Sequence, residues 1–459
     1  MGMSTQPIMI RAPRRWWADV AGTFGVGSLV AVTALWVAGG GLQDLGGQDN
    51  GLTSAGRLAG LLSADLMLLQ VLMMARIPWL ERSYGQDTLA RRHRLAGFWS
   101  FWLLIAHIVF ITFGYWATSP LGLVAETWNL VTTYPGMLLA VAALAMIIMV
   151  VVTSIRAARR RLRYESWHLL HLYAYLGVGL ALPHQIWTGT HFVDSAPARY
   201  FWITFYCATL AAVLVFRIGL PAWRTLRHRL VVDRVVHEAP GVVSLHIRGN
   251  RLTALRVQAG QFFLWRFLDG PGWSRGHPYS LSAAPRADRL RITVKDLGDD
   301  SAKAAAIRPG TRIMIEGPYG ALTADPASRR PAVLLAAGVG ITALRALIDD
   351  LVAARRPVTV LYRVGDRDTA VFRTELEAYA ESGRLRLLYL TGSRGRRASF
   401  LPGKFANEGD ARALRRLVPD VTASDAYLCG PPEWMSYARH ALRSAGVPAE
   451  QIKSEEFAW

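Results

Sequence analysis

Histidines are the first residues in this sequence whose type and spacing suggest chemistry. In "HRLAGFWSFWLLIAH", His93 and His107 stand fourteen positions apart with an apolar stretch between them. That separation is close to four helical turns, so both imidazoles share one helix face about 21 Å apart along the axis. A second run, "WHLLHLYAYLGVGLALPHQ", carries His168, His171 and His184. His171 and His184 are less well phased on a straight helix, but Pro183 removes one internal hydrogen bond and can kink the helix to re-aim His184. His168 is read as an edge residue and His191 as a loop residue. Ionisable or metal-binding side chains inside apolar helices mark function by default.

The elements that carry these histidines come from the composition. The chain has 459 residues and is 52% hydrophobic, enough for two or three domains. Apolar residues concentrate before about residue 220, in runs long enough to cross a bilayer. Six spans are expected, Trp17–Ala38, Ala59–Met74, Gly97–Thr118, Pro135–Ile155, Trp167–Gln185 and Tyr200–Ile218. The formal charge of +19 could suggest nucleic-acid binding. The arginines argue against it, because they cluster before span one, between spans two and three, between four and five, and after six. The opposite loops are nearly free of cations. This positive-inside pattern puts both termini and the C-terminal half in the cytoplasm and the spans in the inner (plasma) membrane, in contact with lipid. The first apolar run lacks a cleavage site and reads as a retained anchor.

Spans three and five then run in the same direction, so their histidines pair by depth. His93 pairs with His171 near the inner face, and His107 with His184 further out. Two neutral imidazoles converging from facing helices are the axial set of a six-coordinate b-type haem, and two such pairs form an electron path across the membrane. A single membrane histidine is more often hydrogen-bonding glue between helices; four at matched depths favour haem. Arg57, at the start of span two, is the cation that breaks the outer-side pattern. It either snorkels to lipid phosphate or pairs with a haem propionate. The two cysteines, Cys207 and Cys429, exclude a disulfide framework and a cysteine-ligated iron–sulfur cluster.

From Leu230 the texture is that of a soluble protein. "LVVDRVVHEAPGVVSLHIRG" reads as two strands around a Pro240-Gly241 turn, with more strands in "QFFLWRFL", "LRITVKDL" and "GTRIMIEGPYG". These predict a small antiparallel barrel. Within it "HPYSLS" sets His277, Pro278, Tyr279, Ser280, Leu281 and Ser282 in a row; an aromatic ring there can stack on an isoalloxazine and a hydroxyl can bond a flavin nitrogen. From Pro331 strands and helices alternate, predicting a parallel, doubly wound sheet. Gly338 and Gly340 allow a pyrophosphate close to a helix N-terminus. Ser393 and Arg394, with Arg396 and Arg397, suit a nucleotide 2′-phosphate or form a solvated basic loop.

Taken together, these residues resemble the ferric reductase/NADPH oxidase superfamily over nearly the whole chain. The resemblance rests on the His93/His107 and His171/His184 spacings, "HPYSLS", "GVGIT", "LCGPP" (with Cys429 and Gly430) and the ending "SEEFAW". It implies a six-helix transmembrane bundle followed by a ferredoxin-reductase-like module, with an antiparallel β-barrel FAD domain and a doubly wound α/β nucleotide domain. The expected domains are 1–222, 228–326 and 330–459. It also implies a route from NADPH to FAD, through two b-type haems, to an acceptor outside, oxygen or a ferric chelate. Tyr279 and Ser280 would hold the flavin, and Thr342 and Cys429 would line the nicotinamide pocket. Phe457 would cover the flavin face, and Arg57 would stand beside the outer haem. There are departures. Ala343 replaces a common proline, Trp459 competes with Phe457 for stacking, and Ile111 stands where some oxygen-reducing members carry a polar group. The alternative is a membrane-anchored NAD(P)H–flavin reductase serving a soluble electron-accepting partner.

Overall fold

A computed structural model describes residues 16–47, 51–162, 164–270, 273, 275–393, 398–405 and 407–456. The chain divides into two units at Arg217 and Ile218.

The first unit is helical. Its long helices are α1 (Trp16–Ala38), α2 (Gly51–Met74), α3 (Gln86–Thr118), α4 (Met137–Ser154), α5 (Tyr164–Thr188) and α6 (Ala196–Val213). Five stretches are long and apolar enough to cross a membrane: Trp16–Ala38, Gly51–Met74, Thr88–Thr118, Met137–Ser154 and Ala196–His228. The six expected spans thus become five by this measure. The remaining one, α5, is a helix of 25 residues, but His168, His171, His184 and Gln185 dilute its apolar character. Large side chains such as Phe98, Trp99, Trp102 and Leu138 lie exposed on these helices, the surface a bilayer would cover.

Small residues set how closely the helices pack. A methyl group at Gly56 would meet Ile111, one at Gly60 would meet His107, and one at Gly114 would meet Thr53, all at 3.0 Å or less. Gly56 and Gly60 are four apart, so one face of α2 admits α3 to near backbone contact. In the same way Gly177 of α5 faces Ile147 of α4. Two polar contacts cross between helices inside the bundle. Ser28 donates to Asp65 at 3.0 Å, and Ser63 donates to the Ser100 carbonyl at 2.7 Å.

The second unit begins with two three-stranded antiparallel sheets. Strands β1 (Val231–Ala239), β2 (Val242–Arg248) and β5 (Arg289–Lys295) form one in the order β1-β2-β5. Strands β3 (Phe262–Phe267), β4 (His277–Ser280) and β6 (Ile313–Tyr319) form the other in the order β4-β3-β6. Leu245, Ile247, Phe263, Trp265, Ile292 and Ile315 are almost wholly buried and share one core. Bridges Val231–Arg312 and Leu281–Ile292 join the sheets into a small barrel. The turn expected at Pro240-Gly241 joins β1 to β2, with Gly241 at φ 69°.

Five parallel strands follow: β7 (Ala332–Ala337), β8 (Val358–Arg363), β9 (Arg386–Leu390), β10 (Asp425–Gly430) and β11 (Ile452–Glu456), in the order β11-β10-β7-β8-β9. Every residue of β7 and β10 is buried, as central parallel strands require. Helices α7 (Ile341–Ala353), α8 (Arg373–Glu381) and α9 (Pro432–Ser444) connect them. An antiparallel barrel thus precedes a five-stranded parallel sheet.

Candidate functional site

In the helical unit the two inner histidines meet. The His93 and His171 ring centroids are 5.9 Å apart, with 64° between ring planes. Two imidazoles bound through Nε2 to one iron, with bonds of about 2 Å, would set their centroids about 6 Å apart. The inner pair expected by depth, His93 with His171, is therefore a pair in space.

What holds each ring decides what it can bind. His93 Nδ1 donates to the Gln70 carbonyl at 3.2 Å, and His107 Nδ1 donates to the Gly56 carbonyl at 2.8 Å. A carbonyl only accepts, so the proton stays on Nδ1 and Nε2 keeps its lone pair for a metal. His171 Nδ1 lies 3.3 Å from the Ser154 hydroxyl. His184 Nδ1 is buried without a hydrogen-bond partner among the described residues. Among the described residues no three His, Cys, Asp or Glu side chains converge. The donor set at the inner position is thus a facing pair of imidazoles, which could hold a haem and is not a side-chain cage for a free ion.

Arg57 follows Gly56, whose carbonyl holds His107. Its guanidinium lies 3.5 Å from Asp44, both side chains being about one-third exposed. The sequence reading offered lipid or propionate as its partner and missed Asp44, which belongs to the short helix Gly41–Gly46.

In the second unit β4 presents the flavin motif. His277 and Tyr279 alternate onto one face, their rings stacked at 5.9 Å with 13° between planes. Trp265 Nε1 donates to the Tyr279 carbonyl at 2.9 Å, fixing the strand from behind. Ser280 is buried, and its hydroxyl has no hydrogen-bond partner among the described residues. A buried hydroxyl left open beside an aromatic face is what a flavin edge can use. Leu281 is fully buried in the barrel core. The Ser282 hydroxyl is already engaged, accepting from Thr293 at 2.8 Å, while Thr293 also meets Ser244 at 2.7 Å. Ser282 is therefore a barrel residue more than a free donor to a cofactor.

A buried ionic network ties this motif to the nucleotide sheet. Arg291 of β5 bonds the Ser282 carbonyl at 2.6 Å and the Glu375 carboxylate at 2.5 Å. Arg345 of α7 bonds Glu375 at 2.7 Å and Asp349 at 2.6 Å, and Asp349 also accepts the Ala284 N–H at 3.0 Å. Burial works to raise both carboxyls. For Asp349 the Arg345 charge and the Tyr379 hydroxyl outweigh it, and the group stays below the ordinary range. For Glu375 the bonds and charges of Arg291 and Arg345 do the same. The partners lie up to 84 residues apart, so no local pattern announces them.

At the nucleotide end, Gly338 takes φ 53°, and Tyr362 donates to its carbonyl at 3.2 Å. A methyl on Gly340 would fall 2.3 Å from the Cys429 carbonyl and 2.8 Å from Gly430 N. The β7 turn can therefore lie against the end of β10 only with glycine there. Thr342 is buried on the first turn of α7. Cys429 is fully buried, and burial pushes its thiol well above the ordinary range, with Glu455 adding to the effect. It can line a pocket but is a poor nucleophile. A cavity of about 250 Å³ opens beside Gly338 and Val339, lined also by Pro240, Lys295, Tyr362 and Thr369. Arg363 bonds the carbonyls of Val364 at 2.7 Å, Leu390 at 2.9 Å and Gly392 at 2.6 Å. It thereby clamps the chain that leads to Ser393, which is exposed. Arg394, Arg396, Arg397, Phe457 and Trp459 lie outside the described residues. Glu455 of β11 accepts the Ala321 N–H at 3.3 Å.

Residues 59–182 match the family described as ferric reductase like transmembrane component. A flavohemoprotein of Xylella fastidiosa is 31% identical over 249 residues, covering 51% of this chain and 59% of that protein. The ferredoxin reductase component of 3-ketosteroid-9-alpha-monooxygenase from Mycolicibacterium smegmatis is 31% identical over 241 residues, covering 50% of this chain and 65% of that protein. The chain thus spans roughly three-fifths of the length of these curated relatives. Among solved structures, the ferredoxin NADP+ reductase of Neisseria gonorrhoeae aligns at TM-score 0.42 and 20% identity, covering 50% of this chain and 98% of that one. The FAD/NAD binding domain of nitric oxide dioxygenase from Vibrio cholerae aligns at TM-score 0.39 and 23% identity, with coverages of 50% and 98%. The chain is thus similar to a ferric reductase transmembrane component over residues 59–182, and to a flavohemoprotein and a ferredoxin reductase component over about half its length.

Proposed function

We propose that the chain is a transmembrane oxidoreductase. It takes electrons from cytoplasmic NADPH through FAD and two b-type haems to an acceptor outside, oxygen or a ferric chelate. The observation that carries this reading is the His93–His171 approach at 5.9 Å, with the His93 proton held on Nδ1 by a backbone carbonyl. His93 with His171 would hold the inner haem, and His107 with His184 the outer one; FAD would split the hydride pair into the single electrons that haem iron accepts. The Gln70 and Gly56 carbonyls keep their imidazoles neutral and oriented. Tyr279 offers a stacking face and Ser280 an open hydroxyl to the flavin. The Gly338–Gly340 turn brings backbone N–H groups toward a pyrophosphate, and Thr342 and Cys429 give the nicotinamide a buried wall. Ser393 and Arg394 read the 2′-phosphate, and Phe457 shields the flavin until nicotinamide arrives. Arg57, beside the outer ligand's anchor, meets the acceptor or a propionate. On this reading the helices span the plasma membrane six times, with both termini cytoplasmic.

The test is an optical spectrum of the purified full chain before and after NADPH. Reduced b-type haem bands, with two haems per chain, are expected. A chain that binds FAD and oxidises NADPH without such bands would support the second reading, a membrane-anchored reductase for a soluble partner. The ferredoxin reductase relative favours that reading.

A further inference from the structure

We propose that Arg159, Trp167 and Ser154 are positioning residues for His171 that raise the reduction potential of the inner haem relative to the outer one; the inference rests on the haem reading above. The Arg159 guanidinium lies 4.4 Å over the Trp167 ring. That ring in turn sits 5.1 Å from His171, tilted by 32°. With those separations in series, the cation is no more than about 10 Å from the ligand imidazole. Trp167 Nε1 also donates to the Ser154 hydroxyl at 3.4 Å, and the same oxygen lies 3.3 Å from His171 Nδ1.

This surrounding differs in kind from that of the α3 histidines. His93 and His107 give their Nδ1 protons to backbone carbonyls, strong acceptors that make an imidazole electron-rich. His171 faces a hydroxyl whose lone pairs are shared with an indole N–H, a weaker acceptor. A less electron-rich ligand and a nearby positive charge both favour the iron when it holds the extra electron. The two effects therefore act in the same direction. The step involved adds one electron to iron(III) to give iron(II), with no bond broken and no proton required. A raised inner potential helps the first electron leave the flavin.

The experiment is a potentiometric titration of the purified full chain in lipid nanodiscs, following the haem bands with dithionite as reductant. Arg159→Gln removes the charge and keeps a polar amide. It should lower the potential of one of two haem components by about tenfold in the reduced-to-oxidised ratio, or about 59 mV for one electron. Arg159→Lys should restore it. Trp167→Phe keeps an aromatic plane but frees Ser154 to accept more strongly, so it should shift the same component downward by less. It also serves as the test if Arg159→Gln does not accumulate. Two unmoved components with both haems bound would overturn the proposal, as would equal shifts in both. Wild-type protein without b-type haem would instead overturn the functional reading beneath it.

Discussion

Gly60→Ala should dislodge the outer ligand. The added methyl would lie 2.5 Å from His107 Nδ1 and 2.9 Å from its Cε1 and Cγ. Ordinary non-bonded contact begins near about 3.5 Å, so the ring must retreat by about 1 Å or the helices must part. Either movement stretches the 2.8 Å bond from Nδ1 to the Gly56 carbonyl beyond hydrogen-bonding range. Losing that bond costs about 1 kcal/mol, and overpacking a close helix seam about 1–3 kcal/mol. Loss of an outer anchor typically weakens metal binding about 10–100-fold. The assay is haem content per chain with FAD content measured alongside. The variant should fall from two haems toward one, keep its flavin, and retain the inner component. Gly27→Ala is the control, because nothing lies within 4 Å of a methyl there. Two haems in Gly60→Ala with unchanged spectra and potentials would refute the argument that this seam seats His107.

Gly340→Ala should raise the KM for NADPH at least tenfold while leaving haem content intact, because its methyl would collide with the Cys429 carbonyl; steady-state kinetics with spectra will check this. Cys429→Ala should keep most NADPH oxidation. In a Cys207→Ala background the native protein should resist a maleimide, since burial holds the Cys429 thiol protonated. Asp349 and Glu375 are held below the ordinary carboxylate range, so the stability they give is full above about pH 4–5 and falls as pH drops through their lowered values. FAD release on heating should move to lower temperature over that acid window. Glu375→Gln should cost about 1–3 kcal/mol at neutral pH and flatten the acid dependence.

Repeating geometry made part of this protein legible in its sequence. A helix repeats every 3.6 residues, so His93 and His107 share a face whatever surrounds them. The two strands read from "LVVDRVVHEAPGVVSLHIRG" are β1 and β2 as folded, although Val242, Val243, Ser244 and Leu245 of β2 are all buried. The features that were not legible depend on partners distant in the chain. Arg57 meets Asp44 thirteen positions back, and Arg291 of β5 meets Glu375 of α8, 84 positions further on. β11 was hidden because "IKSEE" has neither an apolar run nor alternation; it forms an outer strand of the sheet by pairing with β10. Gly56 and Gly60 did leave a signal, two glycines four apart in an apolar span, although neither carries charge nor binds metal.

The carbonyls that hold His93 and His107 have a consequence for mutagenesis. Both acceptors belong to the main chain, at Gln70 and Gly56. Replacing the Gln70 side chain leaves its carbonyl oxygen in place, so an alanine scan along α2 can report Gln70 as dispensable while the atom that orients the ligand goes untested. Drift at that position is buffered for the same reason. The anchors can be removed only by altering the course of α2 itself, through a proline, an inserted residue or a bulky intruder in its glycine seam.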